Sequence, residues 1–361
     1  MILILTRSFP PELGGIQNLM WGLSVNLSKF HLVKVFANYQ KGCEIIDKKV
    51  SFSIDRIKGP KLIIKYRKSY LVNNYLKNNK NVNCIISDHW KSLESIKSNK
   101  KKICLIHSKE INHPKGSRLN KRILNVLNST DKVISNSNYT KNLAIELGVK
   151  SEKIIVIHPG TEPIKKIDSN FSKEADEIIG LKNPILITVS RLEKRKNHEK
   201  VIMALRNLKQ FYPNILYICI GEGEEEEILK KLVRELSLEK QVIFLKNISQ
   251  DLKNSLLSKS SLFVMPSIIH KNSVEGFGIV YIEAAQLGIA SIGGKDGGAS
   301  DAIKDNVTGL ICDGNNLDEI FSKIDLILKN NYYKEFGFKA KEYAKEFTWD
   351  KIIKQYLNII S

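Results

Sequence analysis

No apolar run in this chain approaches the roughly 20 residues that a membrane-spanning helix needs. The opening Met-Ile-Leu-Ile-Leu is too short for the core of a secretory signal and reads as a first buried strand. Cysteine is sparse: Cys43, Cys84, Cys104, Cys219 and Cys312 are odd in number, scattered, and never in C-x-x-C spacing. That argues against a disulfide framework or a cysteine zinc site and for reduced thiols in a cytoplasm. There is no Asp-x-Asp pair, no repeat of solenoid length, and no low-complexity tract beyond the acidic run 222–227, which reads as the opening of a helix. Nothing looks like a zinc finger, a homeodomain or an aromatic platform for bases, so nucleic acid is not an expected partner.

Positive charge is abundant. Lys and Arg number 57 against 38 Asp and Glu, a net charge of +19 in 361 residues. Two readings compete: solvated lysines in a Lys-, Asn- and Ile-rich chain, or attraction to an anionic partner such as a membrane surface. Two segments could serve the second. Residues 115–127 can form a basic amphipathic helix, with Leu119, Ile123, Val126 and Leu127 on one stripe and Arg118, Lys121 and Arg122 beside it. Residues 58–68 carry Leu62, Ile63, Ile64 and Tyr66 among lysines. Peripheral attachment to the inner face of the cell membrane is therefore an expectation.

The length suits two ordinary domains. Short apolar runs alternate with longer amphipathic ones, predicting strands at 1–5, 32–37, 82–87, 102–107, 132–135 and 154–158 and helices at 17–28, 117–127 and 139–147. Residues 161–183 are polar and read as a linker. A second rhythm follows, with strands at 184–190, 216–220, 242–245, 262–265, 290–292 and 310–312. Helices are expected at 197–210, 224–237, 250–259 and after Gly278. The expectation is α/β: two Rossmann-like doubly wound domains facing across a cleft, with ligands where strand ends meet helix starts.

The chemistry-bearing segment is Val-Glu-Gly-Phe-Gly-Ile-Val-Tyr-Ile-Glu, residues 274–283. Glu275 stands on a loop. Gly276, Phe277 and Gly278 lead into a helix whose first free amides favour an anion. Glu283, two turns on, can accept hydrogen bonds from hydroxyls. An anion site between two hydroxyl acceptors suits a sugar nucleotide. Gly14 and Gly15, after the first strand, let a loop approach a diphosphate. In the run 189–196, Arg191 can fork onto phosphate oxygens and Lys196 adds a point charge, whereas Lys194 and Arg195 read as solvated. Gly221 and Glu222 close the next strand. His107 ends a strand, and His89 competes with it for a site.

The Glu-x7-Glu frame with its inner Gly-Phe-Gly resembles that of the retaining GT-B glycosyltransferases, in particular glycosyltransferase family 4. The resemblance extends along nearly the whole chain, through 136–140, 157–161 and 347–349. It implies the GT-B fold, an acceptor-side domain over 1–165, a nucleotide-sugar domain over 166–345, and a helix over 346–361 crossing back to the first. By resemblance, Gly14 and Gly15 contact donor phosphate, Arg191 and Lys196 the leaving diphosphate, and Gly221 and Glu222 the nucleotide. Glu283 then takes the ribose, Glu275 the donor sugar, and His107 the sugar or acceptor. Two departures stand out: Asn197 where the family has Gly, and Asp301 where it has Glu after Gly297-Gly298. The expected activity is transfer of a sugar from a nucleoside-diphosphate sugar to a glycan or lipid-linked acceptor, without a metal cofactor. A sugar-nucleotide epimerase and a non-catalytic sugar-nucleotide-binding subunit are the alternatives.

Overall fold

The computed structural model describes residues 1–12, 14–60 and 63–361. Leu13 of the Gly-Gly loop and Leu62 of the basic stretch 58–68 lie outside the described residues. The chain divides into two compact units, Met1–Glu162 with Phe347–Ser361, and Pro163–Glu346.

The first unit is built on seven parallel strands: β1 Ile2–Leu5, β2 Val33–Asn38, β3 Ser53–Ile57, β4 Cys84–Ser87, β5 Lys101–Ile106, β6 Lys132–Ser135 and β7 Ile154–Val156. Their order is β3-β2-β1-β4-β5-β6-β7, so the winding direction reverses between β1 and β4. Side chains alternate across a strand. Ile2 and Ile4 therefore enter one core with Leu19, Leu23 and Leu27 of the helix Gly15–Ser28. Leu3 and Leu5 enter the other, with Val72, Ile123 and Leu127. Burial on both faces explains why β1 is apolar throughout. The last helix, Trp349–Ile360, also belongs to this unit, and its Trp349, only 3% exposed, lies where a Cβ on Gly22 or Gly160 would come within 2.5 Å of its ring.

The second unit has six parallel strands: β8 Ile185–Val189, β9 Leu216–Ile220, β10 Val242–Leu245, β11 Leu262–Met265, β12 Ser291–Gly294 and β13 Gly309–Cys312. Their order is β10-β9-β8-β11-β12-β13, with the reversal between β8 and β11.

Three expectations need correction. The linker at 161–183 contains a helix, Ser169–Ile179, whose first turn is capped by the Asp168 side chain on the Asn170 amide at 2.8 Å. Its buried Ala175 and Ile179 stand a turn apart among charges, a stripe too thin to see in so polar a stretch. The stripe of the helix Arg118–Ser129 is not free for a membrane: Ile123, Val126 and Leu127 are buried, Leu119 packs on the same core, and Arg122 pairs with Glu94 at 2.9 Å. The stretch 58–68 runs into an unforeseen helix, Ile64–Asn78, which leaves Ile63, Tyr66 and Tyr70 exposed but buries Lys68. All five cysteines are free and buried.

Candidate functional site

The site in the second unit starts at the carboxyl end of β8. A short 3-10 turn, Lys194–Lys196, is tied to the end of β11 by the Ile268 amide on the Arg195 carbonyl at 2.9 Å. This turn brings Arg195 and Lys196 to Glu275. Oε2 of Glu275 accepts from Arg195 Nη1 at 3.0 Å and from Lys196 Nζ. Arg195 also donates through Nε to Glu193 Oε2 at 2.9 Å, and Glu193 Oε1 meets Arg191 Nη1 at 2.6 Å. The result is a chain of alternating charge: Arg191, Glu193, Arg195, Glu275, Lys196. Burial pushes Glu275 up, but Lys196 and Arg195 outweigh it and hold the carboxyl at about 2.

Sequence reasoning placed Arg195 in solvent. The structure instead buries most of it between two glutamates, while Arg191 is the exposed member, with 69% of its side chain open. The signal that could have found Arg195 is the cation run itself: a buried Glu275 needs a partner, and the 3-10 turn swings two consecutive side chains to one side. Lys194, half exposed, pairs with Glu199.

The backbone around Glu275 is equally constrained. Gly278, at φ 82, opens the helix Ile279–Gln286, and a Cβ there would stand 2.5 Å from the Tyr281 ring. Gly276 and Phe277 are buried. The Gly298 amide donates to the Glu275 carbonyl at 2.8 Å, and a Cβ on Gly297 would come within 2.4 Å of that oxygen. The Gly297-Gly298 pair is therefore a cradle for Glu275, a role its sequence did not reveal. Asp301 meets Tyr343 through its main-chain carbonyl at 2.9 Å. Glu283 is ion-paired to Lys253 at 2.6 Å, a partner missed from sequence. Gly221, at φ 142, passes so close to β8 that a Cβ would lie 2.0 Å from the Ser190 carbonyl, while Glu222 is exposed. Asn197 adopts a left-handed φ of 64, which glycine and asparagine tolerate best, and its side-chain Nδ2 donates to the carbonyls of Pro266 and Gly314 at 2.8 and 2.7 Å. The departure from Gly thus keeps the turn and adds two bonds. His198 follows, buried, with Nε2 3.4 Å from Ser190 Oγ and Nδ1 without a partner.

In the first unit, polar groups collect at the ends of β1, β4, β5 and β6. Buried Asp88 accepts from Thr6 Oγ1 at 2.8 Å and from the Arg7 and Ser8 amides at 3.0 and 3.1 Å. This closes the switch point between β1 and β4 and sets the chain's course toward Gly14 and Gly15, the latter opening the first helix. The same loop is held by the Gln40 amide oxygen on the Glu12 amide at 3.0 Å and by Arg56 on the Pro10 carbonyl at 2.7 Å. His107 follows β5, with Nε2 buried and unpartnered. His89 is held by its own turn, its Nδ1 accepting from the Lys91 amide at 3.1 Å. Among the described residues, no group of three or more His, Cys, Asp and Glu is placed to hold a metal ion.

Two family models match the sequence that builds these units. Residues 13–164 match Glycosyltransferase Family 4, and residues 170–347 match Glycosyl transferases group 1.

The chain belongs to glycosyltransferase family 4.

This glycosyltransferase has the GT-B fold. It is 24% identical over 365 residues to a GDP-mannose-dependent alpha-(1-6)-phosphatidylinositol monomannoside mannosyltransferase of Mycolicibacterium smegmatis, covering 95% of this chain and 93% of that one. Its backbone is similar to that of Anabaena Alr3699/HepE solved with UDP, with a TM-score of 0.84, 20% identity and 99% of each chain covered. It is also similar to WaaG, a glycosyltransferase involved in lipopolysaccharide biosynthesis, with a TM-score of 0.72, 15% identity and 100% of each chain covered.

The buried histidines make stability sensitive to acid. Burial, reinforced by Lys196, holds His198 at about 3, and burial holds His107 at about 4. An unfolded chain takes up these protons near pH ~6.5, so the folded state binds fewer protons below that value. The stability from each neutral ring is complete above about pH 6.5 and lost as the pH falls toward its folded value. The melting temperature of the wild type should therefore drop more steeply between pH 7 and 5 than that of His198→Asn; equal slopes by circular dichroism would contradict this.

Proposed function

We propose that this glycosyltransferase is a retaining, metal-independent enzyme that moves a sugar from a nucleoside-diphosphate sugar to a glycan or lipid-linked acceptor in glycolipid or polysaccharide synthesis. The observation that carries the reading is the cation pair on Glu275. Three cations against two carboxylates leave the charge chain with one net positive charge, anchored on rigid turns at a strand end. Such fixed cations bind a diphosphate in the ground state and stabilise it as it departs, with no reorganisation of solvent.

In this reading Glu275 does two things. Its ionised carboxylate holds Lys196 and Arg195 in place, and it lies where positive charge develops at the anomeric carbon. Attack and departure occur on the same face of the sugar, so the anomeric configuration is kept. Gly276, Phe277 and Gly278 bring the start of the helix to the donor. Glu283, oriented by its ion pair with Lys253, takes the ribose hydroxyls; Gly221 and Glu222 lie by the nucleotide, and Gly14 and Gly15 by the donor phosphates. Arg191, at the exposed end, can swing from Glu193 onto a phosphate. His107 is assigned to the sugar or the acceptor.

The similarity to a phosphatidylinositol mannoside mannosyltransferase favours a lipid-linked acceptor, and that relative uses GDP-mannose whereas the HepE structure holds UDP. Either nucleotide suits the charge chain, which reads only phosphate. Tyr66 and Tyr70, 63% and 65% exposed, share a helical face with Ile63 and Arg67. An aromatic face with basic neighbours supports attachment to an anionic leaflet. The helix Arg118–Ser129 contributes only its charged edge. No helix among the described residues is long and apolar enough to cross a membrane.

Two experiments test this reading. Glu275→Gln should lose most turnover, on the order of a hundredfold or more, while excess chelator leaves wild-type turnover intact. Wild-type kcat in the variant, or strict dependence on Mg²⁺ or Mn²⁺, would contradict the mechanism. Sedimentation with vesicles of phosphatidylglycerol and phosphatidylcholine should fall in Tyr66→Ser/Tyr70→Ser and in about 0.5 M salt. Absence of binding to such vesicles at low salt would leave a soluble acceptor as the reading.

A further inference from the structure

The turn that carries His107 is held from an unexpected place. The His107 amide donates to Glu110 Oε1 at 2.5 Å, so a side chain three residues on closes back over the turn. Ser108, between them, is buried with a left-handed φ of 88, a conformation that a non-glycine residue keeps only when its surroundings over-determine it. Its carbonyl accepts from the amides of Ile111 and Asn112 at 3.1 and 3.0 Å. The Glu110 carbonyl in turn accepts from Nε1 of the fully buried Trp90 at 3.0 Å, tying this turn to the helix Trp90–Leu93 after β4.

Glu110 is costly where it stands. Burial raises its carboxyl to about 7, the His107 amide and its own amide oppose this, and nearby Asp88 adds to it; among the described residues no lysine or arginine offsets the burial. An apolar residue would fit such a place at less cost. What the carboxyl provides is a fixed amide, and the ring on that amide ends in Nε2, buried and unpartnered.

We propose that Glu110 is a positioning residue: by holding the His107 amide it fixes the turn that orients the His107 imidazole for its part in the transfer. The inference rests on the donor-site reading above. Glu110 touches no substrate and acts only through His107.

The test is release of nucleoside diphosphate from GDP-mannose and UDP-glucose, with water as the acceptor, in the full chain. Glu110→Ala should lower kcat on the order of 10- to 100-fold through misplacement of His107, with KM for the nucleotide sugar little changed. Glu110→Gln keeps an oxygen that can accept from the amide and should restore most of kcat. Glu110→Leu keeps the volume without the acceptor and should behave like Glu110→Ala. In a His107→Ala background, Glu110→Ala should add less than about a twofold loss, because the two residues act as a unit. Multiplicative losses, wild-type kcat in Glu110→Ala, or wild-type kcat in His107→Ala would each overturn the inference alone. Wild-type protein that binds neither GDP nor UDP would overturn the donor-site reading, and this inference with it.

Discussion

The ion pair between Glu275 and the two cations of the β8 turn organises the second unit's site. A carboxylate this buried is destabilising unless it is paired, and both Arg195 and Lys196 meet the same oxygen. The pair constrains in both directions. Glu275 can be buried and ionised only because the 3-10 turn delivers two cations, and the cations can stand side by side only because Glu275 lies between them. Glycine then holds the frame: Gly278 turns the chain into its helix, while Gly297 and Gly298 close on the Glu275 carbonyl. Replacing Glu275 would leave Lys196 buried without its carboxylate, while Arg195 would keep Glu193.

Each unit keeps its polar chemistry where its sheet reverses direction. At such a point neighbouring loops leave in opposite senses and open a place for a ligand at the strand ends. In the first unit Asp88 draws the Thr6–Ser8 turn toward β4; in the second the Arg195 turn is tied to the end of β11. The strands around them are apolar on both faces, so they are rigid supports for groups that must be held to within fractions of an ångström. The histidines His89, His107 and His198 stand just beyond strand ends or at a helix start in these regions, and burial keeps all three below their ordinary value.

Much of this was legible in the sequence, for definite reasons. The strands were readable because a doubly covered parallel sheet demands unbroken apolar runs, as in Ile2–Leu5 and Leu216–Ile220. The Gly-Phe-Gly frame was readable because few residues can stand at φ 82 before a helix. The helix Ser169–Ile179 was not, since two small buried contacts in eleven residues leave a polar stretch looking like a linker. Nor could the stripe of Arg118–Ser129 say what would cover it; its own sheet does, and a membrane is not needed. Arg195 and Arg191 were exchanged because a run of cations at one strand end carries no sign of which side chain turns inward. That choice is made by a long-range partner, Glu275, eighty residues on. Lys253 beside Glu283 and Glu110 beside His107 were hidden for related reasons: the first is a tertiary pairing, the second a local turn whose closure only the backbone shows.

The central claim is that the cations joined to Glu275 form the diphosphate site of the donor nucleotide. It is tested most directly by titration calorimetry with GDP, UDP, guanosine and uridine, on the wild type and on Arg195→Ala and Lys196→Ala. One diphosphate should bind at least tenfold more tightly than its nucleoside, and each variant should lose on the order of 2–3 kcal/mol of that binding, as expected for a charge-assisted contact. Equal affinity for nucleoside and nucleoside diphosphate, or undiminished diphosphate binding in both variants, would contradict the account.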